Sequence, residues 1–172
     1  MKRRFIIFVT IIYMLLSFAP AYAAGDPYPV WKPVKRSKAY EKKGKWYEAA
    51  RNYTNGSSTG VISCGTSISV SSTYNGELKI SIPYLESYAM MQHKINKSFK
   101  VSVRYSESLK GKKKGTYAIF YRKVFTCRKV TQRKYYHVDG YLCPTKTTKK
   151  VRTKDFKSMS YKLKKISDKD VT

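Results

Sequence analysis

The sequence predicts an α+β domain: an antiparallel sheet of about five or six strands, an N-terminal aromatic amphipathic helix, and one short helix between hairpins. Three observations carry this. Residues 98–106, SFKVSVRYS, set Phe99, Val101, Val103 and Tyr105 against Lys100, Ser102 and Arg104, the period-two signature of a half-buried strand. Residues 54–75 carry no charge and are rich in Ser, Thr and β-branched side chains, a composition of strands and turns. Residues 37–53 instead bring Ala39, Tyr40, Trp46, Tyr47, Ala50 and Tyr53 roughly to one face at helical spacing.

The chain opens on a basic Met1-Lys2-Arg3-Arg4, an apolar run from Phe5 to Phe18, and the small-x-small Ala21-Tyr22-Ala23. This is the pattern of a secretory signal peptide over residues 1–23. Its apolar run is shorter than the roughly 20 residues that span a bilayer. The expected destination is the periplasm or the cell exterior. Residues 24–36, with three prolines, read as an extended lead, and residues 37–172 as a single domain.

In the helix expected next, Ser37 is the cap and Asn55-Gly56 the stop. Within it, GKWYEAARNY resembles the Gly then Tyr-x-x-Ala run of a tetratricopeptide helix pair, but no second copy follows to stack on it. Residues 61–82 read as a hairpin. Ile62, Cys64, Ile68 and Val70 share one face, and Leu78, Ile80 and Ile82 share another. A three-residue loop, Tyr74-Asn75-Gly76, pairs Val70 with Ile80 and keeps both apolar faces together. Leu85, Tyr88, Met91 or Gln92, and Ile95 space the short second helix.

After the 98–106 strand, ESLKGKKKG is a lysine-tipped loop, and residues 116–130 form a long strand whose early part is buried on both faces. The chain returns near Thr131–Lys134 or at Asp139-Gly140. Residues 156–166 suit either a helix or a strand, and the sheet-rich setting favours the strand.

The net charge is +26, and it is lopsided. Residues 94–172 hold twenty-four Lys and Arg against five Asp and Glu, whereas residues 24–93 hold nine against five. A field of this size attracts polyanions. The expected function is therefore that of an exported, non-catalytic binding protein recognising a polyanion or an envelope surface component. The expected contacts are Lys112, Lys113, Lys114, Arg122, Lys123, Arg128, Lys129, Arg133, Lys134, Tyr135 and Tyr136, where cations alternate with rings that stack on bases or sugars. Partners of this kind are an anionic polymer, an anionic membrane surface, an envelope protein or a nucleic acid.

Catalytic signatures are sparse. Two histidines and three cysteines without paired spacing do not make a zinc site, and no nucleophile elbow or phosphate loop occurs. No metal or cofactor is expected. One enzymatic alternative remains, a nuclease using His93 and His137 as base and acid beside Lys94 or Lys134. Another alternative is an accessory subunit of an envelope or secretion machine. In an oxidising compartment Cys127 and Cys143 are expected to form a disulfide, with Cys64 left over. Three N-x-S/T triplets, at Asn52, Asn55 and Asn96, are acceptors for N-glycans where that modification exists.

Overall fold

Two strands of unusual length set the architecture. In a computed structural model, which describes residues 26–57 and 59–171, β7 (Gly115–Val138) and β8 (Tyr141–Ser167) run antiparallel as one hairpin. At about 3.4 Å per residue, the 24 residues of β7 extend roughly 80 Å before twist shortens them. The expected signal peptide lies outside the described residues. The hairpin turns at Asp139 and Gly140, with φ of 48° and 83°. Two successive left-handed residues fit the two-residue turn whose twist matches antiparallel strands. Thr131–Lys134, the other candidate for the turn, lies within β7.

The outer edge of β7 is paired by three short strands in succession: β1 (Tyr28–Arg36), β2 (Tyr40–Lys43) and β3 (Tyr47–Thr54). The free edge of β8 takes β5 (Thr73–Gly76), completing a six-stranded antiparallel sheet. A second sheet pairs β4 (Val61–Ser71) with β6 (Ser98–Ser108). One helix, α1 (Ile82–Tyr88), begins with a proline in its first turn, where the missing N–H has no intrahelical partner to lose.

Among the described residues, antiparallel sheet with one short helix is thus the observed class. The helix stops at Tyr88, short of Met91 and Ile95, where Met90 turns left-handed with φ of 51°, and two other elements differ from expectation. Residues 40–43 and 47–54 are strands, not an amphipathic helix. The helical spacing was real as a pattern, yet a long strand presents an edge of backbone N–H and C=O groups that a helix cannot satisfy. Gly44 and the ring-bearing Tyr40, Trp46, Tyr47 and Tyr53 also disfavour helix or favour strand. The Gly44 N–H donates to the Lys123 carbonyl at 2.8 Å. A bulge between Glu48 and Ala50 lets both Ala49 and Ala50 pack inward.

The second correction concerns pairing. β4 does expose the expected apolar face, but its partner is β6, with Ile68 opposite Val101 and Val70 opposite Phe99. Residues 78–81 form no strand. They are pinned instead by Gln132, fully buried, whose Oε1 accepts from the Lys79 and Ile80 N–H groups at 2.8 and 3.1 Å. Its Nε2 donates to the Glu77 carbonyl at 3.1 Å. Gly76 has φ of 112°, and a Cβ there would lie 2.5 Å from the Lys150 carbonyl oxygen. The glycine therefore ends β5 tight against β8 rather than turning a 70/80 hairpin.

Three hydrophobic clusters form the core along the long sheet. Ile62, Leu109, Tyr117 and Ile119 close the end under β4 and β6. Val70, Phe125, Cys127 and Phe156 fill the middle. Ile80, Leu85, Ala89, Ile95, Val130 and Val151 seat α1 on the opposite face. The first five residues of β7 are buried on both faces. The tail is β8, a strand throughout residues 156–166.

The expected disulfide is not formed. All three cysteines are free, Cys127 buried and Cys143 exposed. Cys127 stands opposite Lys154, and Cys143 opposite Tyr136. Eleven positions of β8 separate the two rows, about 36 Å. The hairpin is the reason: its turn falls at 139–140, so cysteines twelve and three residues from it cannot meet.

Candidate functional site

The alternation of β7 and β8 sorts their cations onto two faces. Lys123, Phe125, Cys127, Lys129 and Thr131 of β7 share one face with Lys150, Arg152 and Lys154 of β8. Cross-strand register seats Cys127 beside Lys154, Lys129 beside Arg152, and Thr131 beside Lys150. β4 covers this face as far as Ser69–Ser71, and beyond that point it is open as a chain of three depressions.

The first depression, about 650 Å³, is lined by Lys45, Tyr47, Ser69, Ser71, Thr73, Ser98, Lys123, Phe125 and Lys154, among others. The second shares Thr73 and Lys154 with it and adds Tyr40, Lys42, Asn75, Cys127 and Arg152. The third shares Asn75 and Arg152 and adds Lys35, Ser37, Lys129, Thr131 and Lys150. Together they form one groove along the β7–β8 ladder. Eight Lys and Arg line it, and no Asp or Glu does. Hydroxyl and amide side chains fill the rest of the polar rim.

Rings stand in the groove as well. Tyr40 is 44 % exposed and Tyr47 is 51 % exposed. Tyr47 stacks on Tyr121 at 5.7 Å between centroids, which fixes its orientation. The Lys154 ammonium lies 4.0 Å over the Phe125 ring. The Lys123 ammonium donates to the Ser69 carbonyl at 2.9 Å, tying the groove wall to its floor. Burial pushes the Cys127 thiol up from its ordinary pKa, against the smaller opposing pull of Lys154 and Lys42. The thiol is therefore a neutral floor group, not a nucleophile.

Of the contacts expected from the sequence, Lys123 and Lys129 are in this groove. The others are elsewhere. Lys112, Lys113 and Lys114 occupy the loop before β7, at least eight β7 positions, about 27 Å, from Lys123. The Lys112 ammonium lies 3.7 Å from Glu107. Arg122 is on the opposite face, its guanidinium 4.2 Å over Trp46, a ring that also holds Lys162 at 4.2 Å. Arg128 donates to the Ala89 and Met90 carbonyls at 2.7 and 3.2 Å and so fastens the end of α1. Arg133 is half-buried beside the bulge near the far end of the hairpin. Lys134 donates to the Tyr136 hydroxyl and sits 4.6 Å over its ring. Tyr135 and Tyr136 lie on the arm formed by β1 and the hairpin end.

Sequence reasoning missed Lys35, Lys42, Lys45, Lys150, Arg152, Lys154 and both groove tyrosines. One signal was legible: Lys150-x-Arg152-x-Lys154 puts three cations on one face of any strand that contains them.

His93 and His137 do not share a site. His93 stacks on Phe99 at 4.3 Å and contacts Asp155 at 3.1 Å through Nδ1. Asp155, buried, also accepts from the Ser72 hydroxyl and the Gln92 N–H, each at 2.6 Å. The carboxylate binds both Ser72 and His93, so this is a clamp on the loop after α1, not a serine activated by a histidine. His137 stacks on Tyr28 at 4.9 Å. Asp155 pairs with Thr126, and His137 is eleven β7 positions further on, about 36 Å away.

Among the described residues no cluster of three His, Cys, Asp or Glu side chains is placed to hold a metal ion, and no helix is long and apolar enough to cross a membrane. Compared with protein families, with curated proteins and with solved structures, the chain finds no match.

Proposed function

We propose that this protein is an exported, non-catalytic binding protein that holds a polyanion in the β7–β8 groove, in the periplasm or outside the cell. One observation carries the reading: eight cations line a continuous groove that has no carboxylate in it. Elsewhere the acids are used to neutralise neighbouring cations. Glu77 pairs with Lys79 and Lys149, Glu48 with Arg51, Glu41 with Lys157 and Asp168 with Lys165. Leaving the groove without an acid keeps its potential for an anionic ligand. Export rests on the sequence of residues 1–23.

The test is binding to heparin, to DNA and to lipopolysaccharide across a salt series. Affinity for at least one of them at low salt, falling steeply as salt rises, is expected. Binding to none, or binding indifferent to salt, overturns the reading.

A second reading has one observation in its favour. Tyr136 and Tyr141 are exposed on one face of the end of the arm, and Tyr28 and Leu142 on the other, Tyr141 at 77 %. Exposed rings on both faces of a projecting arm suit a protein partner, as an accessory subunit of an envelope machine requires. Salt-independent capture of an envelope protein, lost in Tyr141→Ser, favours this reading over the first.

A further inference from the structure

We infer that the ligand of the groove is a single-stranded nucleic acid, with its phosphates on the β7–β8 cations and bases against Tyr40 and Tyr47. The inference rests on the polyanion reading above and names its class of ligand.

Cation spacing is the first argument. Lys150, Arg152 and Lys154 recur every second residue on one strand face, a step of about 6.7 Å. Over these two steps the row follows the strand axis. A duplex strand winds away from a straight row, and its phosphates advance only about 3.4 Å along the axis per nucleotide. An unwound strand, stretched along the row, offers roughly one phosphate per step. From Lys123 to Thr131 the floor runs eight β7 positions, about 27 Å, which accommodates about four nucleotides, the low end for single-strand binders.

Rings are the second. Tyr40 and Tyr47 both line the groove and keep about half their surface open. They stand opposite Cys127 and Tyr121, six β7 positions apart. Stacking on such rings is open to every base and to no sulfate or glycerol-phosphate repeat.

The experiment is fluorescence anisotropy with a short oligothymidylate, an abasic oligomer of the same length, the matching duplex, and heparin. Proteins compared are the wild type, Tyr40→Ala, Tyr47→Ala and Lys129→Ala, each checked by thermal melting. Oligothymidylate is expected to bind at least about fivefold tighter than the abasic oligomer, and more tightly than the duplex. Each tyrosine variant is expected to lose about fivefold or more on oligothymidylate and nothing on heparin. Lys129→Ala is expected to flatten the slope of log affinity against log salt by about 0.7. Equal affinity for the abasic oligomer, or a preference for duplex or heparin, overturns the single-strand inference and leaves the polyanion reading standing. No binding to any of the four overturns the single-strand inference, and failure to bind lipopolysaccharide as well overturns the polyanion reading. Tight oligothymidylate binding that all three variants retain overturns the assignment to this groove.

Discussion

Lys129 and Arg152 stand directly opposite each other on the β7–β8 ladder, both exposed and both lining the groove. Like charges in this position repel and destabilise a sheet. Lys129→Glu turns the repulsion into an attraction. It is expected to raise unfolding free energy by about 0.2–1 kcal/mol in urea denaturation, while weakening elution from a heparin column. A variant that loses stability as well as binding would mean that Lys129 is a packing residue.

Gln132 carries a different kind of weight. Its side chain is fully buried and satisfies three backbone groups of residues 77–80. Gln132→Ala leaves those groups without partners and is expected to cost about 2–3 kcal/mol. Gln132→Glu keeps the acceptor but loses the donor to Glu77, and buries a carboxylate, so it is expected to be no milder. The measurement is the shift in urea midpoint at constant slope.

Acid should loosen the same segment. Hydrogen bonds from Lys149 first, then Lys79, hold the Glu77 carboxyl down to about 2. A carboxyl whose folded pKa lies below its unfolded value, 4.5 here, adds stability above that value. That contribution fades as pH falls from about 4.5 towards about 2. Glu77→Gln is expected to remove this part of the pH dependence of stability and leave the remainder. Because the pair is at the surface, added salt should reduce the difference between wild type and variant.

The thiols give a direct check of the hairpin register. Exposed Cys143 is expected to react first with an alkylating agent under native conditions, and Cys127 only after unfolding, since burial keeps it protonated. Non-reducing peptide maps are expected to show no Cys127–Cys143 linkage, even in protein produced in an oxidising compartment. Finding that linkage would require the hairpin to turn near residue 135 instead of at Asp139-Gly140.

Much of the sheet could be read locally. The alternation of Phe99, Val101, Val103 and Tyr105 became β6 with those residues turned inward, because a period of two has one structural meaning. Asp139-Gly140 was one of two turns the sequence offered, and it is the one that forms, because few residue pairs accept two left-handed conformations. The apolar face of β4 was also legible, yet its partner was not. Ile68 and Val70 require some apolar face opposite, and both 78–82 and 99–103 offered one. Gln132 decided between them by capturing the backbone of residues 77–80, a contact 52 to 55 positions away in sequence.

By itself the sequence determined a basic chain, its excess charge after residue 93, and antiparallel strands with one short helix among them. It determined these because charge, alternation and turn chemistry act over a few residues. Tertiary structure alone decided that Tyr40–Thr54 pairs with β7 rather than coiling, because the backbone edge of a 24-residue strand must be satisfied by distant chain. It alone decided where the cations go. Arg122 was drawn to Trp46 and Arg128 to the end of α1, while Lys35, Lys42 and Arg152, far apart in sequence, were gathered beside Lys129 in one groove. A row of charges becomes a site only when separate strands align their faces, and strand register is a property of the whole sheet.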